Sequence, residues 1–281
     1  MDKSDLTPEQ IRGYLHQLWM EEKSPATVEK YRRSVQRFAC WLEGRPLTKE
    51  AAAGWKAHLL QQRYAPATIN AMLTALNGLL GFVRREDCRV RLLKLQRRTF
   101  RESGRVMTRP DYAALTAAAR SRGNQRLALL MEAICATGIR VSEVRYLTVE
   151  AARRGRAEIS LKGKIRTILL PSKLCRKLLK YAQKQKTVSG EIFLTRNGTP
   201  LDRRQIWAEM KALCSAAGVD PGRVYPHNLR HLFAEVFYQA SRDIVKLADV
   251  LGHSTIETTR IYLLSSGAEH RRQLDRLGLV S

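Results

Sequence analysis

Acidic residues are scarce in this 281-residue chain. There are 26 Asp and Glu against 50 Lys and Arg, which leaves a formal charge of +24. That deficit excludes an acidic solvating protein and makes a polyanion, most simply nucleic acid, the expected partner. Cysteine is sparse too. Cys40, Cys88, Cys135, Cys175 and Cys214 are scattered, with no CxxC pair and no Cys/His cluster, which argues against a zinc site. Their odd number and mostly apolar flanks fit reduced thiols in a cytosol. No apolar run approaches the ~20 residues of a membrane span. The first residues, MDKSDLTPEQ, lack the apolar core of a secretory signal. A cytoplasmic protein without membrane contact is the expectation. No Walker loop occurs, so no nucleotide cofactor is expected.

What is present is spread along the whole chain. Residues 1–100 hold 18 basic and 10 acidic residues, and residues 101–281 hold 32 and 16, so both parts are expected to touch the same polyanion. Four helix starts mark the first hundred residues. Thr7-Pro8-Glu9-Gln10 combines a capping Thr, Pro at the first helical position and Gln three residues after the cap. Ser24-Pro25 opens a second helix, with Val28, Tyr31, Val35, Phe38 and Leu42 on one side and Lys30, Arg32, Arg33 and Arg37 on the other. Thr48 opens a third, with Trp55, Leu59 and Leu60 as core candidates. Ala65-Pro66 opens a fourth, whose apolar stripe runs from Ile69 to Val83. The starts at 24 and 65 are ordinary capped helices or, because a Pro-started helix leaves N–H groups free, phosphate contacts.

From about Arg84 to Arg109 the periodicity fails and the chain reads as an exposed basic connector. The resulting division is a helical domain over 1–97, a linker over 98–109 and a second domain over 110–281. The second domain opens with a helix near Pro110-Asp111 and continues with an apolar helix over 127–136. Alternation over 158–161 and 166–170, around the turn Lys162-Gly163-Lys164, predicts a β-hairpin that ends at Pro171. Helix is expected over 174–186, a short strand over 191–194, a turn at Asn197-Gly198 and mostly helix over 202–276. The fold class is mainly α with a small antiparallel β-sheet.

Four motifs carry chemistry. In ATGIRVSE, Gly138 suits a left-handed helix stop and Arg140 lies at the start of the next helix, where amides favour an anion and a guanidinium grips two oxygens at once. In PHNLRH, His227 and Arg230 are three apart and share a helix face. His227 and His231 lack an acidic companion, so a metal reading fails. In LGHSTIE, Gly252 ends a helix, Ser254 and Glu257 read as a capping box, and His253 sits at the corner; a helix-turn-helix would look similar. In TTRIY, Tyr262 falls two turns into the new helix. A single tyrosine is most often packing.

Taken in order, GIR-VSE, HNLRH, LGH and a Tyr nine residues after that His resemble the tyrosine recombinase (phage integrase) family. The resemblance runs from about Leu6 to the end, with a two-domain layout similar to Xer-like enzymes. It implies an all-α, SAM-like core-binding domain and an α+β DNA breaking-rejoining catalytic domain. It also implies a site-specific recombinase or integrase of a mobile element. By residue, Tyr262 would attack the scissile phosphate to form a 3′-phosphotyrosyl link. Arg140 and Arg230 would neutralise the nonbridging oxygens, His227 would assist proton transfer, and His253 would donate a hydrogen bond to the phosphate. Lys162 would protonate the leaving 5′-oxygen, with Lys164 as competitor because the hairpin is one residue out of step with Pro171. Glu143 would support Arg140. The implied partners are double-stranded DNA, a homo-tetramer on that DNA joined through the tail containing Leu274, Leu277, Leu279 and Val280, and an accessory directionality factor. The tail could equally fold back on its own domain, and an N-terminal arm-binding domain is not expected.

The physics stands beside the resemblance. A phenol with a pKa of about 10 is a poor nucleophile at neutral pH, and fixed positive charge lowers that barrier. No Asp/Glu cluster for two metals lies in these motifs, and a covalent intermediate conserves the phosphodiester energy, so neither metal nor ATP is expected. Two other readings remain open: a catalytically silent DNA-binding regulator on the same fold, and a type IB topoisomerase. Six filled positions argue against the first and the short helical N-terminal domain against the second.

Overall fold

The computed structural model describes residues 6–95, 104, 106–161, 164–263, 271–272 and 275–278, with no side-chain description at 161 and 164. The chain divides into two compact units, Met1–Arg97 and Arg98–Ser281. The architecture is the mainly α fold that the sequence pattern predicts, with one two-stranded antiparallel sheet among the described residues.

In the first unit, α1 (Pro8–Met20), α2 (Pro25–Leu42), α3 (Lys49–Gln61) and α4 (Pro66–Phe82) form where the caps predict. The Thr7 side chain accepts from the Gln10 N–H at 3.2 Å while Gln10 returns the bond to the Thr7 N–H at 2.9 Å. Ser24 and Thr48 accept from the Thr27 and Ala51 N–H groups to cap α2 and α3, but Ala65 has no polar side chain to give α4. α4 is the central element. Its Ile69, Leu73, Leu76, Leu79 and Leu80 are almost wholly buried against the other three helices, each worth roughly 1.5–3 kcal/mol of transfer free energy.

Residues 84–93 are not the loose start of a connector. Cys88 and Val90 are buried in the same core. The amide side chains of Asn77 and Asn70, seven residues apart on α4, each bond both ways to the backbone, of Val90 at 2.8 and 2.9 Å and of Leu93 at 2.9 and 2.8 Å. Two side chains thus do what a neighbouring strand would do. Most of the expected linker lies outside the described residues.

The second unit is built around α6 (Gln125–Thr137), buried on nearly every face among α5 (Arg109–Ser121), α8 (Ser172–Lys184), α9 (Arg203–Ala212) and α11 (Pro226–Ser241). α7 (Val149–Arg154) leads into β1 (Arg156–Leu161), which pairs with β2 (Lys164–Leu169) from Arg156 opposite Leu169 to Leu161 opposite Lys164. α10 (Cys214–Ala217), α12 (Ile244–Leu251) and α13 (Ile256–Arg260) complete the described α-helices. The strand expected over 191–194 does not form. Single bridges join Thr148 to Glu191 and Leu194 to Pro200. Pro200 has no N–H with which to extend a ladder, and Thr195 and Thr199 close on each other around the Asn197-Gly198 turn. No described helix is long and apolar enough to cross a membrane.

Candidate active site

Three chain reversals bring the motif residues together. The first is Gly138, which caps α6 at φ 63°, a left-handed conformation that suits glycine. A Cβ there would also overlap the Phe233 ring and come within 3.0 Å of Leu251. Beyond it, Arg140 caps a 3-10 helix, Val141–Tyr146. The Glu143 carboxylate accepts from the Arg140 backbone N–H at 2.9 Å and from Arg140 Nη1 at 3.0 Å. Arg140 is 39% exposed and Glu143 4% exposed in their side chains, so the acid is the fixed member and the guanidinium the accessible one.

The second reversal opens α11. Pro226 starts the helix, His227 lies exposed in its first turn, and Arg230, one turn on, is 2% exposed. A buried guanidinium needs partners for its N–H groups. Nη1 donates to the Gly138 carbonyl, Nη2 to the Leu251 carbonyl at 2.8 Å, and Nε to the Tyr262 hydroxyl at 3.4 Å; Nη2 also lies 2.9 Å from His253 Nε2.

The third is Gly252, the left-handed cap of α12, where a Cβ would overlap the Arg166 side chain. His253 follows at the corner, with Nδ1 2.8 Å from Thr259 Oγ1. The expected Ser254 capping box is absent. Thr255 is the capping residue of α13 and makes no side-chain cap; its hydroxyl pairs with that of Thr258 instead, at 3.0 Å. α13 spans five residues, so Tyr262 does not ride two turns into a helix. It sits in the turn beyond, its N–H bonded to the Thr259 carbonyl at 3.0 Å. Its ring is 3% exposed and packs in a small cluster with Ala234, Leu247 and Leu251.

Three imidazoles surround that ring. His253 stacks on it at 5.7 Å between centroids and 9° between planes. His231 meets it edge-on at 4.3 Å, and His227 is tilted at 6.0 Å. Burial, then the charges of Arg230, Arg140 and Arg166, pushes the His253 pKa down to about 4. Crowding of its ring, followed by the charges of Arg230, Arg203 and Arg140, lowers that of His227. Burial lowers Arg166 and Arg230 as well, though a guanidinium stays protonated at neutral pH. Burial would raise Glu143, but the Arg140 N–H and the Arg166 and Arg140 guanidiniums hold its pKa below the ordinary value.

Of the expected set, Arg230, His253, His227 and Tyr262 converge directly. Arg140 stands beside them, close enough for its charge to act on both histidines. Lys162 lies outside the described residues, and Lys164 is described only as the backbone start of β2. The structure adds residues that the motifs did not single out. Arg166 on β2 donates to Glu143 and to the Leu251 carbonyl, with its side chain 13% exposed. Its signal was in the sequence: alternation puts it on the same face as buried Ile168, beside exposed Ile165 and Leu169. His231, four residues after His227 and no metal ligand by sequence, packs against the Tyr262 ring. Thr259, fully buried, carried no signal of its own.

Residues 105–269 match the phage integrase family, and residues 11–87 match the phage integrase N-terminal SAM-like domain. Tyrosine recombinase XerD of Xanthomonas campestris pv. campestris is 29% identical over 281 residues, spanning 90% of this chain and 87% of the relative. Tyrosine recombinase XerA of Thermococcus kodakarensis is 29% identical over 280 residues, spanning 97% and 95%. Among solved structures, a lambda integrase dimer bound to a COC′ core site superposes with TM-score 0.75 at 18% identity, over 92% of this chain and 95% of that one. A lambda integrase tetramer bound to a Holliday junction gives 0.74 at 18% identity, over 92% and 78%. The Tn1549 transposon integrase in complex with transposon right end DNA gives 0.71 at 16% identity, over 96% and 99%. At such identities the structural likeness speaks for the fold.

Proposed function

This chain belongs to the phage integrase family, and from that premise we propose that it cuts and rejoins double-stranded DNA as a site-specific recombinase with Tyr262 as nucleophile. The observation that carries the residue assignment is the Tyr262 hydroxyl beside Arg230 Nε, inside a shell of three imidazoles. Tyr262 attacks the scissile phosphorus, its oxygen becomes esterified to the 3′ end, and the 5′-oxygen leaves. Arg140 and Arg230 hold the nonbridging oxygens as charge develops, His253 donates to one of them, and His227 takes up the phenol proton, which its lowered pKa leaves it neutral to receive. The hairpin lysine, Lys162 in preference to Lys164, delivers a proton to the 5′-oxygen. Reversal of the same steps on a new 5′-hydroxyl rejoins the strand without ATP.

The formal charge of +24 supports the DNA partner and predicts binding that weakens steeply with salt. The same reading has the 1–97 domain and the 110–281 domain, joined by the 98–109 linker, hold one duplex inside the cell. Four copies assemble on DNA, and an accessory protein sets direction. The test is a nicked suicide duplex carrying the candidate site. The wild-type protein forms an adduct that survives denaturation, and Tyr262→Phe forms none while binding the duplex as tightly. An adduct in the Phe variant overturns the nucleophile. Binding without any wild-type adduct favours a silent regulator.

A further inference from the structure

His253 is held at both ring nitrogens, and its two partners are not equivalent. Arg230 Nη2 lies 2.9 Å from Nε2, and Thr259 Oγ1 lies 2.8 Å from Nδ1. A guanidinium has donors and no acceptor, so Nε2 must offer its lone pair. A neutral ring then carries its proton on Nδ1 and donates it to the Thr259 hydroxyl oxygen. That tautomer is unsuited to the reaction proposed above, because His253 has no N–H at Nε2 to give to a phosphate oxygen.

We propose that Thr259 is a positioning residue whose hydroxyl reverses its hydrogen bond, accepting from Nδ1 in the DNA-free protein and donating to Nδ1 once a phosphate occupies the site. The incoming nonbridging oxygen takes over the Arg230 N–H and releases the Nε2 lone pair. As the site opens to DNA, water takes the Nδ1 proton and returns one to Nε2 of the half-buried His253 ring, and the Thr259 O–H turns to face Nδ1. No proton is taken up overall, and His253 is neutral before and after. A hydroxyl suits this place because it both donates and accepts, whereas a carboxylate would lock the proton on Nδ1. The fully buried Thr259 is screened from water that could substitute for it. The depressed pKa of His253 agrees, since moving a proton around this ring is easier than adding one. The inference rests on the reading of Tyr262 as nucleophile and His253 as hydrogen-bond donor.

Ring 15N and 13C resonances of labelled His253, assigned by difference from His253→Gln, distinguish the two neutral tautomers from imidazolium. The full chain is measured alone, and again as Tyr262→Phe on the suicide duplex that yields the wild-type adduct. The expected result is Nδ1–H when free and Nε2–H when bound. Nε2–H in both states, Nδ1–H in both, or an imidazolium on DNA overturns the proposal. In parallel, Thr259→Val lowers the rate of adduct formation roughly 10–100-fold at unchanged DNA affinity, and Thr259→Ser recovers most of it. A Val rate within about twofold of wild type, against that ~10-fold minimum, refutes the role of Thr259 alone. No wild-type adduct at all would refute the recombinase reading and this inference with it.

Discussion

Among the described residues, Trp55 in the first unit and Arg230 in the second are the two largest fully buried side chains, and they are held in opposite ways. Trp55 packs among the rings of Phe38, Trp41 and His58, and its indole N–H has no hydrogen-bond partner among the described residues. Arg230 is engaged at all three guanidinium nitrogens. Around Trp55 the buried residues are apolar apart from Ser34, and the ion pairs are surface pairs a few residues apart, such as Arg12 with Glu9. Around Arg230 the second unit also buries Glu143 and Thr259 and most of Arg166. One region is held by area removed from water, where a single unsatisfied N–H is tolerable. The other holds charge in place by satisfying it, so the guanidinium is fixed before an anion arrives.

The largest effect that would break this contrast is at Arg230. Arg230→Lys retains the charge but not the fork. It is expected to lower adduct formation by roughly 10²–10³-fold, and to strand carbonyls that cost about 1–3 kcal/mol each, seen as a lower urea midpoint. Full stability in that variant would mean that the carbonyl contacts are incidental. Next comes Glu143→Leu, which leaves Arg166 without its buried partner. A loss of roughly 3–5 kcal/mol is expected in urea unfolding, together with slower cleavage through a freed Arg140. The Glu143 contribution is complete above the ordinary carboxylate value of 4.5 and declines below it, because its folded pKa is lowered.

A pH scan is the third and finer probe. With a folded pKa of about 4 against an ordinary 6.5, His253 binds a proton in the unfolded chain before it does in the folded one. Its contribution is therefore full above pH 6.5 and shrinks as the pH falls toward 4. The thermal midpoint of wild type should drop across that window more than that of His253→Gln; parallel curves would refute it. The smallest effect belongs to the first unit. Glu29 bonds Arg32 and Arg33 on the surface at 2.7 and 2.6 Å. Glu29→Gln should leave the unfolding midpoint unchanged, since exposed pairs are screened, and a clear loss would show that this unit also depends on charge.

What could be read in the sequence follows the same division. Helix starts at Thr7, Ser24 and Thr48 are legible because a cap closes over three residues, and the hairpin because alternation and turn are local. The motif set named Arg140, His227, Arg230, His253 and Tyr262, and four of these meet in space. The contacts that hold them there were not legible. Arg230 reaches Gly138 across 92 residues and Arg166 reaches Leu251 across 85, distances over which no pattern of propensities operates. The place of Tyr262 differs from the expected one for a related reason: it packs against Leu247 and Leu251 of α12, contacts that local sequence does not encode.

The carbonyl oxygen of Leu251 accepts from Arg166 on the hairpin and from Arg230 on α11. The hairpin carries the lysine proposed to serve the departing oxygen, and the turn after Leu251 leads to the tyrosine proposed to supply the arriving one. The machinery for making one ester bond and for releasing the other is therefore fastened at a single atom. Loosening that rivet at Arg166 should slow the opening and the sealing of a strand together, because each uses both ends of the exchange.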